Sequence, residues 1–388
     1  MKSKQGNVGV VGAGISGLSA ALSLSTFGIE VTVFERADNI RGEGVGIQLT
    51  PNASKSLKEL GLLDEIIRKC FYPRQLVVND MRSLKSLKEI NLGNAMVKKY
   101  GFPYVTISRS VLHKALLEKC KKLKVKFKHG TEIRSVYQDG ELVICENTNG
   151  QKSHFDYMCV CDGIRSQNNN LNLKNGLKTS GSVVFRKIYS NTGLVQVIQN
   201  NINVWMGDDC HLVSYPINSM GHINIVFAVN KKLVKKIMSI SKKPEFLIDL
   251  LKIKNRTLID LLKNIQDWKK WPLYNTGFIT KVNHITEGRV LFMGDAAHPL
   301  YPHLAQGAAM ALEDGRVLFK LLKKNKGIYD ETFQEFATSR FRRCQRMQIE
   351  SQINGHIFQL GWPLRDIRNM FIKTLGSRLI DKSWIYKF

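Results

Sequence analysis

The sequence has 388 residues, 43% of them hydrophobic and 23% charged, a globular composition that excludes collagen, coiled coil and wholesale disorder. At about 150 residues per domain, this length predicts about two to three domains and excludes a single small binding module. The net charge of +26 favours anionic ligands, but the lysines are dispersed and are not interleaved with aromatic residues, so nucleic acid is not an expected partner.

The N-terminus has the pattern of one βαβ unit. Residues 7–11 form a short apolar run that predicts a buried strand, and residues 16–27 have helical periodicity that stops at Gly28. A second apolar strand is predicted at residues 30–34 and ends at Glu35.

A glycine-rich turn joins the first strand to the helix, and it reads Gly12-Ala13-Gly14-Ile15-Ser16-Gly17. In a dinucleotide site Gly12 permits the tight turn, Gly14 lets the backbone approach a pyrophosphate, and Gly17 allows close helix packing. The helix N-terminus adds free N–H groups and a positive dipole end. Glu35, about 20 residues further on, is placed to bind an adenosine ribose. The alternative is a purely structural turn.

The next elements continue the alternation of helix and strand. Residues 52–69 and 108–123 predict helices, the second opened by Ser108 as a cap before Arg109, and residues 125–129 predict a half-buried strand. A β-meander is expected over residues 131–160, with its final strand running into Asp162-Gly163.

A second, sheet-rich region is predicted from residue 181 to 229, where strand-like runs are separated by Asn and Gly turns. A Lys-rich helical insert covers residues 231–265. Residues 289–293 return to a buried-strand pattern that ends at Gly294-Asp295, and a long helix begins near Gln306. The simplest architecture for this order is a cofactor domain interrupted by a substrate domain.

The seven cysteines form no CxxC pair, which predicts neither a zinc site nor a disulfide framework and favours a reducing, cytoplasmic location. No cluster of histidines and acidic residues has ligand spacing, so no metal is expected. No apolar stretch approaches the roughly 20 residues of a membrane span.

Three motifs, the glycine turn, Asp162-Gly163 and residues 294–299 leading into 306–309, follow one another in an order that resembles the single-component, class A flavoprotein hydroxylases. The resemblance implies an α/β fold with a Rossmann-like FAD-binding domain interrupted by a β-sheet substrate domain and followed by C-terminal helices. The implied bounds are 1–75, 100–180 and 275–350 for the FAD-binding domain, 76–99 and 181–274 for the substrate domain, and 351–388 for the helical segment. A monomer or homodimer is expected.

The same resemblance implies roles for individual residues. Asp295 would hold the ribityl chain of FAD, Asp162 would contribute to binding both FAD and the nicotinamide cofactor, Arg109 would lie near the pyrophosphate, and Glu35 with Arg36 would lie at the adenosine end. NADPH or NADH would reduce FAD, O2 would add at C4a, and the hydroperoxide would oxygenate a small phenolic or carboxylated aromatic ring.

Within the family the sequence most resembles the salicylate and 6-hydroxynicotinate hydroxylase branch, through the segments at residues 302–308 and 211–216 and the C-terminal ending. It departs from the branch at His303, where an aromatic residue is common, and at Ser108, where a histidine is usual. After the Asp-Gly turn, the branch's Ser-x-x-Arg ends here in Asn169.

The helix that begins near Gln306 would aim its positive end at the flavin, because the first-turn N–H groups of Gly307 and Ala308 lack helix partners. Plain helix packing is the alternative role for these small residues. His211 is the candidate base for the substrate hydroxyl, with Tyr215 on the same strand face as an orienting or proton-relaying hydroxyl. A structural role for His211 is the alternative.

Two further histidines have competing interpretations. His298 is expected to fix the Gly294-Asp295 turn, and His303 could reach the substrate cavity.

Other activities on the same scaffold stay open: a flavin-dependent epoxidase or reductase acting on a lipid-like substrate, or a flavin carrier without catalysis. A membrane-surface flavoprotein is the other alternative, because apolar residues from Leu364 to Leu379 recur at helical spacing beside Arg365, Arg368 and Arg378. The favoured explanation of this stripe is a helix packed on the protein's own core.

Overall fold

The strands of the protein fall into two large sheets and two small ones. The structure, a computed structural model, describes residues 6–38, 45–83, 85–168, 177–190, 200–240, 248, 256–263, 268–275 and 277–388. The strands, numbered in chain order, are β1 (Asn7–Val11), β2 (Glu30–Phe34), β3 (Gly46–Leu49), β4 (Gln75–Asp80), β5 (Ser86–Asn91), β6 (Val105–Ser108), β7 (Lys126–Lys128), β8 (Ile133–Asp139), β9 (Leu142–Asn147), β10 (Lys152–Phe155), β11 (Tyr157–Val160), β12 (Lys178–Ser190), β13 (Ile202–Met206), β14 (Cys210–Pro216), β15 (His222–Val229), β16 (Lys269–Asn275), β17 (Thr286–Glu287) and β18 (Val290–Phe292).

The helices flank these sheets and form the C-terminal part of the chain. They are α1 (Ile15–Thr26), α2 (Pro51–Glu59), α3 (Leu63–Ile66), α4 (Gly93–Tyr100), α5 (Arg109–Lys122), α6 (Lys231–Ile240), α7 (Arg256–Lys263), α8 (Gly307–Asn325), α9 (Asp330–Phe358), α10 (Leu364–Ile380) and α11 (Ser383–Tyr386). In the described part of the chain, no helix combines the length and apolar character needed to cross a membrane.

A six-stranded sheet carries the N-terminal βαβ unit, in the order β17-β18-β11-β1-β2-β7. All its pairings are parallel except β17 with β18. Its central strands are apolar runs whose side chains are buried, as expected of parallel strands covered on both faces. Helix α1 packs between this sheet, α5 and α8. The α/β fold expected from the sequence is confirmed.

A seven-stranded sheet, in the order β16-β12-β15-β14-β13-β4-β5, takes its strands from two separate parts of the chain. Strand β4 joins it by pairing in parallel with β13, whereas β12, β14, β15 and β16 run antiparallel to their neighbours. One face of β12, β14 and β15 carries residues 186, 211 and 226. These residues line the cleft described below.

Several predicted elements differ from the structure. The expected meander over residues 131–160 contains only β8, β9 and β10, because the four fully buried residues of β11 insert between β1 and β18 instead. The helix predicted at residues 52–69 is broken into α2 and α3 by Gly61, whose φ of +70° suits glycine.

Two predicted segments have different bounds. The helical insert at residues 231–265 contains α6 and α7, and residues 241–247, 249–255 and 264–265 lie outside the described ranges. The expected start of a C-terminal segment at residue 351 falls inside α9, which continues unbroken to Phe358.

Candidate active site

Three turns meet at one edge of the six-stranded sheet. The glycine turn follows β1, Asp162 follows β11, and Asp295 follows β18, and these strands are neighbours in the sheet. Because the carboxyl ends of adjacent parallel strands lie at the same edge, the fold itself brings the three distant motifs together. Sequence spacing alone does not show this proximity.

A cleft of about 390 Å³ lies between this edge and the seven-stranded sheet. Eight of the residues singled out in the sequence line it: Gly14, Ser16, Arg109, His211, Tyr215, Asp295, Gly307 and Ala308. The other six predicted site residues are not among the residues that line the cleft: Gly12, Gly17, Glu35, Arg36, Asp162 and Gly294. Gly14 and Asp295 therefore share one cleft.

The three glycines of the first turn have different surroundings. A Cβ on Gly12, whose φ is +95°, would lie 2.6 Å from the carbonyl oxygen of Cys161, and a Cβ on Gly17 would collide with the carbonyl oxygen of Gly12. A Cβ on Gly14 would meet no atom within 4 Å. The protein's own packing thus requires glycine at positions 12 and 17, whereas the space beside Gly14 is open toward the cleft.

Glu35 ties the end of β2 to the glycine turn. Its carboxylate accepts hydrogen bonds from the Ala13 N–H at 2.8 Å and from the Ala37 N–H at 3.0 Å. A carboxylate has further lone pairs to offer, so this contact leaves capacity for a ribose hydroxyl. Arg36 is exposed. Burial raises the pKa of Asp162, and the positive charge of the nearby Arg36 acts against this rise.

Asp162 accepts a hydrogen bond from the Asn168 side chain at 3.3 Å, and Gly163 beside it lines the cleft. Asn169, where the sequence departs from the branch pattern, lies outside the described residues.

Asp295 is carried to the cleft by a tight turn. Gly294 has a φ of +59°, and a Cβ there would lie 2.7 Å from the Cβ of Ser16, so this turn packs directly on the first turn of α1. Asp295 is exposed on the surface of the cleft, and the charges of His298 and Arg109 favour its ionised form. The Asp295 side chain opens into the cleft, where it could accept hydrogen bonds.

A buried ionic network holds this turn from behind. The Gly294 N–H donates to Asp314 at 2.8 Å, and His298 hydrogen-bonds the same carboxylate oxygen at 2.7 Å. Arg340, fully buried, donates to both Asp314 and Glu313 at 2.8 Å. Burial lowers the pKa of His298, but the Asp314 carboxylate outweighs it and holds that pKa well above the ordinary value. These contacts give His298 the turn-fixing position expected from the sequence.

The donor atoms of His298, Asp314 and Cys344 lie within 4.8 Å of one another, a grouping that could hold a metal ion. Asp314 already accepts hydrogen bonds from Gly294, His298 and Arg340, so we interpret the group as part of the buried network.

Helix α8 begins at the cleft with Gly307, and Gln306 is its N-cap residue. Gln306 is held by side-chain hydrogen bonds with Asn52 at 2.9 Å and Thr50 at 3.1 Å. A Cβ on Gly307 would meet nothing within 4 Å, so the free amides of the first turn and their positive dipole end face open space.

The opposite wall is formed by β14, where His211, Val213 and Tyr215 lie on one face and line the cleft. His211 is 3% exposed, and its Nδ1 lies 3.3 Å from Gln359 Nε2. Burial, and secondly the neighbouring His303, hold the pKa of His211 well below its ordinary value, and burial raises the pKa of the Tyr215 hydroxyl. His211 is therefore neutral and Tyr215 protonated at neutral pH.

Arg186 also lines this wall and is not among the site residues predicted from the sequence. It lies on β12 opposite Val226, which in turn pairs with Val213 of β14, so the three residues form one row across the sheet. Its guanidinium carbon is 5.4 Å from the centroid of the Trp271 ring. The available signal was the alternation of β12, which places Arg186 on the opposite face from its neighbours Phe185 and Lys187.

Comparison with known proteins decides the family. A family model described as "FAD binding domain" matches residues 5–332. The chain belongs to this family. It is 31% identical over 384 residues to 3-hydroxybenzoate 6-hydroxylase of Polaromonas naphthalenivorans (strain CJ2), a match that covers 97% of this chain and 94% of that protein. It is 27% identical to 6-hydroxynicotinate 3-monooxygenase of Bordetella bronchiseptica (strain ATCC BAA-588 / NCTC 13252 / RB50), covering 89% and 91% of the two chains.

Two solved structures share the fold. HpxO of Klebsiella pneumoniae, complexed with FAD and uric acid, superposes with a TM-score of 0.81 at 21% identity and covers 98% of this chain and 96% of its own. A salicylate hydroxylase substrate complex gives a TM-score of 0.76 at 19% identity, covering 98% and 95%. The protein is thus an FAD-dependent monooxygenase of the aromatic hydroxylase family, and the family resemblance and the cofactor expected from its motifs are confirmed.

The cleft fits FAD by its own geometry. The spaces beside Gly14 and Gly307 are open, each at the N-terminus of a helix. The Ser16 hydroxyl, which lines the cleft, is buried without a hydrogen-bond partner in the described residues. Two helix N-termini and an unpaired hydroxyl are suited to an anionic pyrophosphate and an electron-rich flavin ring.

Proposed function

We propose that the protein hydroxylates a small aromatic acid that carries a phenolic hydroxyl, using NADH or NADPH and O2 as co-substrates. The observation that carries this proposal is the placement of neutral His211 and protonated Tyr215 on the wall that faces the FAD-binding edge of the same cleft. When bound and reduced by NAD(P)H, FAD supplies the electrophilic oxygen from O2.

The residues that would hold FAD follow from the cleft. Gly14, Ser16 and the first turn of α1 would bind the pyrophosphate together with Arg109, with Gly12 and Gly17 shaping the turn. Asp295, positioned by Gly294, would accept hydrogen bonds from the ribityl chain. Further contacts are proposed from Glu35 and Arg36 at the adenosine end, from Asp162 beside the cleft, and from Gly307 and Ala308 at the flavin ring.

His211 is proposed as the base. Burial holds the pKa of His211 well below the ordinary value and keeps the imidazole neutral before substrate binds. A phenolate formed beside the ring would favour its protonated form, so the imidazole can take the proton of the substrate hydroxyl. Gln359 contacts Nδ1. When the Gln359 amide presents its oxygen to Nδ1–H, the neutral imidazole carries its proton on Nδ1 and leaves Nε2 free to accept the substrate proton. Removal of that proton makes the ring more electron-rich, and electrophilic oxygen attacks such a ring faster.

Tyr215 is proposed to orient the substrate oxygen. Burial raises the pKa of its phenol, so it stays a hydrogen-bond donor throughout the neutral range. A donor at this place can hold the substrate oxygen while His211 removes its proton.

Arg186 is proposed to bind the carboxylate of the substrate. It is the cation on the sheet wall of the cleft, and a guanidinium matches a carboxylate in charge and in bidentate geometry. The names of two relatives, a hydroxybenzoate and a hydroxynicotinate hydroxylase, support an aromatic acid as substrate.

The two large sheets suggest two domains with different roles. We propose that residues 1–75, 100–180 and 275–350 form the FAD-binding domain and that residues 76–99 and 181–274 form the substrate domain. A cytoplasmic location is proposed as well, supported by the seven cysteines, all of them unpaired.

The test is a screen of the purified, FAD-loaded protein against aromatic acids and their amides. We expect a hydroxylated acid to accelerate NAD(P)H oxidation and to gain about 16 mass units, the mass of one oxygen atom, in the product. An absence of acceleration by every phenolic acid, with lipid-like alkenes giving epoxides instead, would establish the rival epoxidase activity.

A further inference from the structure

The segment from Trp384 to Phe388, here called the 384–388 segment, packs against α9. It contains the Trp-Ile-Tyr ending found in the sequence, and none of its five residues lines the active-site cleft. Ile385 and Tyr386 are buried, and the Tyr386 ring packs on the rings of Tyr100 and Tyr104, with centroids 5.2 and 6.3 Å away. The segment is therefore a fixed part of the fold that does not itself touch substrate or flavin.

Arg343 of α9 joins this segment to a buried carboxylate. Its guanidinium donates to the carbonyl oxygens of Trp384 and Ile385 at 2.9 and 2.8 Å. It also donates from Nε and Nη2 to the two carboxylate oxygens of Glu313 at 2.7 and 2.5 Å. The guanidinium carbon lies 4.1 Å from the centroid of the Phe388 ring. Two carbonyls, a carboxylate and a ring face thus hold the planar guanidinium in one orientation.

Glu313 depends on this arginine for its charge. Burial alone would raise the pKa of Glu313, but Arg343, and after it Arg340, hold that pKa below its ordinary value. The carboxylate is 0% exposed, so water cannot replace either arginine. A buried carboxylate that loses its partner either moves or takes up a proton, and both changes disturb the groups bonded to it.

A chain of buried hydrogen bonds leads from Glu313 to the cleft. The Asn52 amide donates to Glu313 at 2.7 Å and to the Gln306 side-chain oxygen at 2.9 Å. Gln306 is the N-cap residue of α8 and lines the cleft together with Gly307 and Ala308. The first turn of α8 is therefore tied to the orientation of Glu313, which Arg343 sets.

We propose that Arg343 is a positioning residue for the flavin: held by the 384–388 segment, it fixes the first turn of α8 against the flavin ring. This inference rests on the proposed placement of that ring at Gly307 and Ala308. Reduced flavin carries more negative charge than oxidised flavin, and the free amides and positive dipole end of α8 favour that charge. The fixed first turn therefore raises the reduction potential of bound FAD.

The experiment measures the reduction potential of FAD bound to the holoprotein, against a reference dye near neutral pH. Arg343→Gln removes the charge and most of the fork of donors. We expect its preference for reduced over oxidised FAD to fall about tenfold, which makes the two-electron potential about 30 mV more negative. Arg343→Lys keeps the charge and should shift the potential less. The matched control is Arg342→Gln, at an exposed position of the same helix, which should keep the natural potential.

Phe388→Ala tests the part played by the 384–388 segment. It removes the ring from the guanidinium and leaves Arg343 in place. We expect a shift in the same direction, about threefold in the same preference or about 15 mV. Phe278→Ala, where the natural ring is 39% exposed, is the control and should leave the potential unchanged. Phe388→Ala and Arg343→Lys carry the same test if Arg343→Gln loses its flavin.

Gly307→Val separates a failure of this inference from a failure of the flavin placement. Its side chain would enter the open space beside Gly307, so FAD affinity and potential should both change if the ring lies there. Natural potentials in all Arg343 and Phe388 variants, beside an altered one in Gly307→Val, would overturn the inference alone and leave Arg343 a purely structural residue. Natural affinity and potential in Gly307→Val would overturn the placement and the inference together.

Discussion

The rings of His211 and His303 meet edge to face, with centroids 5.1 Å apart, at the wall between the active-site cleft and a neighbouring cavity of about 610 Å³. Burial lowers the pKa of both imidazoles, and His303 further disfavours a proton on His211. Both imidazoles therefore stay unprotonated to lower pH than an isolated surface histidine, and each is a correspondingly weaker base until a negative charge forms beside it.

His211→Ala should retain FAD and lose hydroxylation, by about a hundredfold near neutral pH. The loss should grow as the pH falls, because the substrate phenol then no longer ionises without a base. The measurement is the pH profile of kcat/KM, with His154→Ala, an exposed histidine on β10, as control. Equal profiles for His211→Ala and the natural chain would remove His211 from the mechanism.

His303 should make the protein less stable in acid. Burial, with a smaller effect of His356, lowers the pKa of His303 to about 4. The unfolded chain, with a pKa near 6.5, then binds the proton more readily, so the stabilisation is complete above pH 6.5 and is lost as the pH falls toward 4. At pH 5 the loss is about 2 kcal/mol.

The measurement for His303 is the free energy of unfolding in urea at pH 7.5 and pH 5. His303→Phe keeps an aromatic ring beside Tyr301 and cannot titrate. It should lose about 2 kcal/mol less than the natural chain between the two pH values. The same loss in both proteins would show that His303 is protonated as easily in the folded state as in the unfolded one.

Gly14→Ala and Gly17→Ala should fail in different ways. The Cβ added at position 14 would enter the open space assigned to FAD, so the apoprotein should fold normally. Its affinity for FAD should fall at least about tenfold, which is a loss of about 1.4 kcal/mol in binding free energy. At position 17 the Cβ would collide with the Gly12 carbonyl oxygen and cost about 3 kcal/mol of stability. Flavin fluorescence titration and urea unfolding separate the two effects, and normal FAD affinity in Gly14→Ala would contradict the assigned position.

Arg340→Met should weaken FAD binding without any contact with the cleft. The change leaves Glu313 and Asp314 short of a buried partner, which costs about 3–5 kcal/mol, and it loosens the turn that carries Asp295. Thermal unfolding and flavin content are the readouts. Arg342→Met, at an exposed position two residues along the same helix, is the control and should change stability by less than about 0.5 kcal/mol.

Arg186→Gln should raise KM for an aromatic acid by about tenfold to a hundredfold, because a charge-assisted pair is lost. Turnover of the corresponding neutral amide should not change. The control is Lys270→Gln, which also removes one positive charge. Lys270 of β16 pairs with Phe185, the residue before Arg186, and so lies on the other face of the sheet. A similar KM increase for acid and amide would show that Arg186 shapes the cleft rather than binding a carboxylate.

The elements with local physical causes were predictable from the sequence. The glycine turn, the strand before it and the Gly294-Asp295 turn depend on steric rules that act within a few residues. The prediction that β11 belongs to the meander was wrong. An apolar run of four residues is compatible with either a meander or a parallel sheet, and only the strands beside it in the fold decide between them.

The rest of the site depends on contacts between distant parts of the chain. Arg340 reaches Asp314 from the next helix, and Arg186 enters the cleft through a row that spans three strands. Nothing in the spacing of either arginine indicates its partner.

The apolar stripe on α10 was expected to pack on the protein's own core, and this expectation is wrong for Leu364, Ile367, Phe371 and Leu375, which are exposed. The side chains of Arg378 and Leu379 lie outside the described residues. The exposure of the stripe could not be predicted, because an amphipathic pattern shows that one face is apolar but not what covers it.

The most direct measurement of the central claim is a turnover experiment under ¹⁸O2 with the aromatic acid that best accelerates NAD(P)H oxidation. If one cleft joins the FAD-binding turns to the His211 wall, each product molecule should carry a single ¹⁸O atom on its ring for each NAD(P)H consumed. Release of hydrogen peroxide with an unaltered aromatic acid, for every acid that accelerates oxidation, would contradict the account.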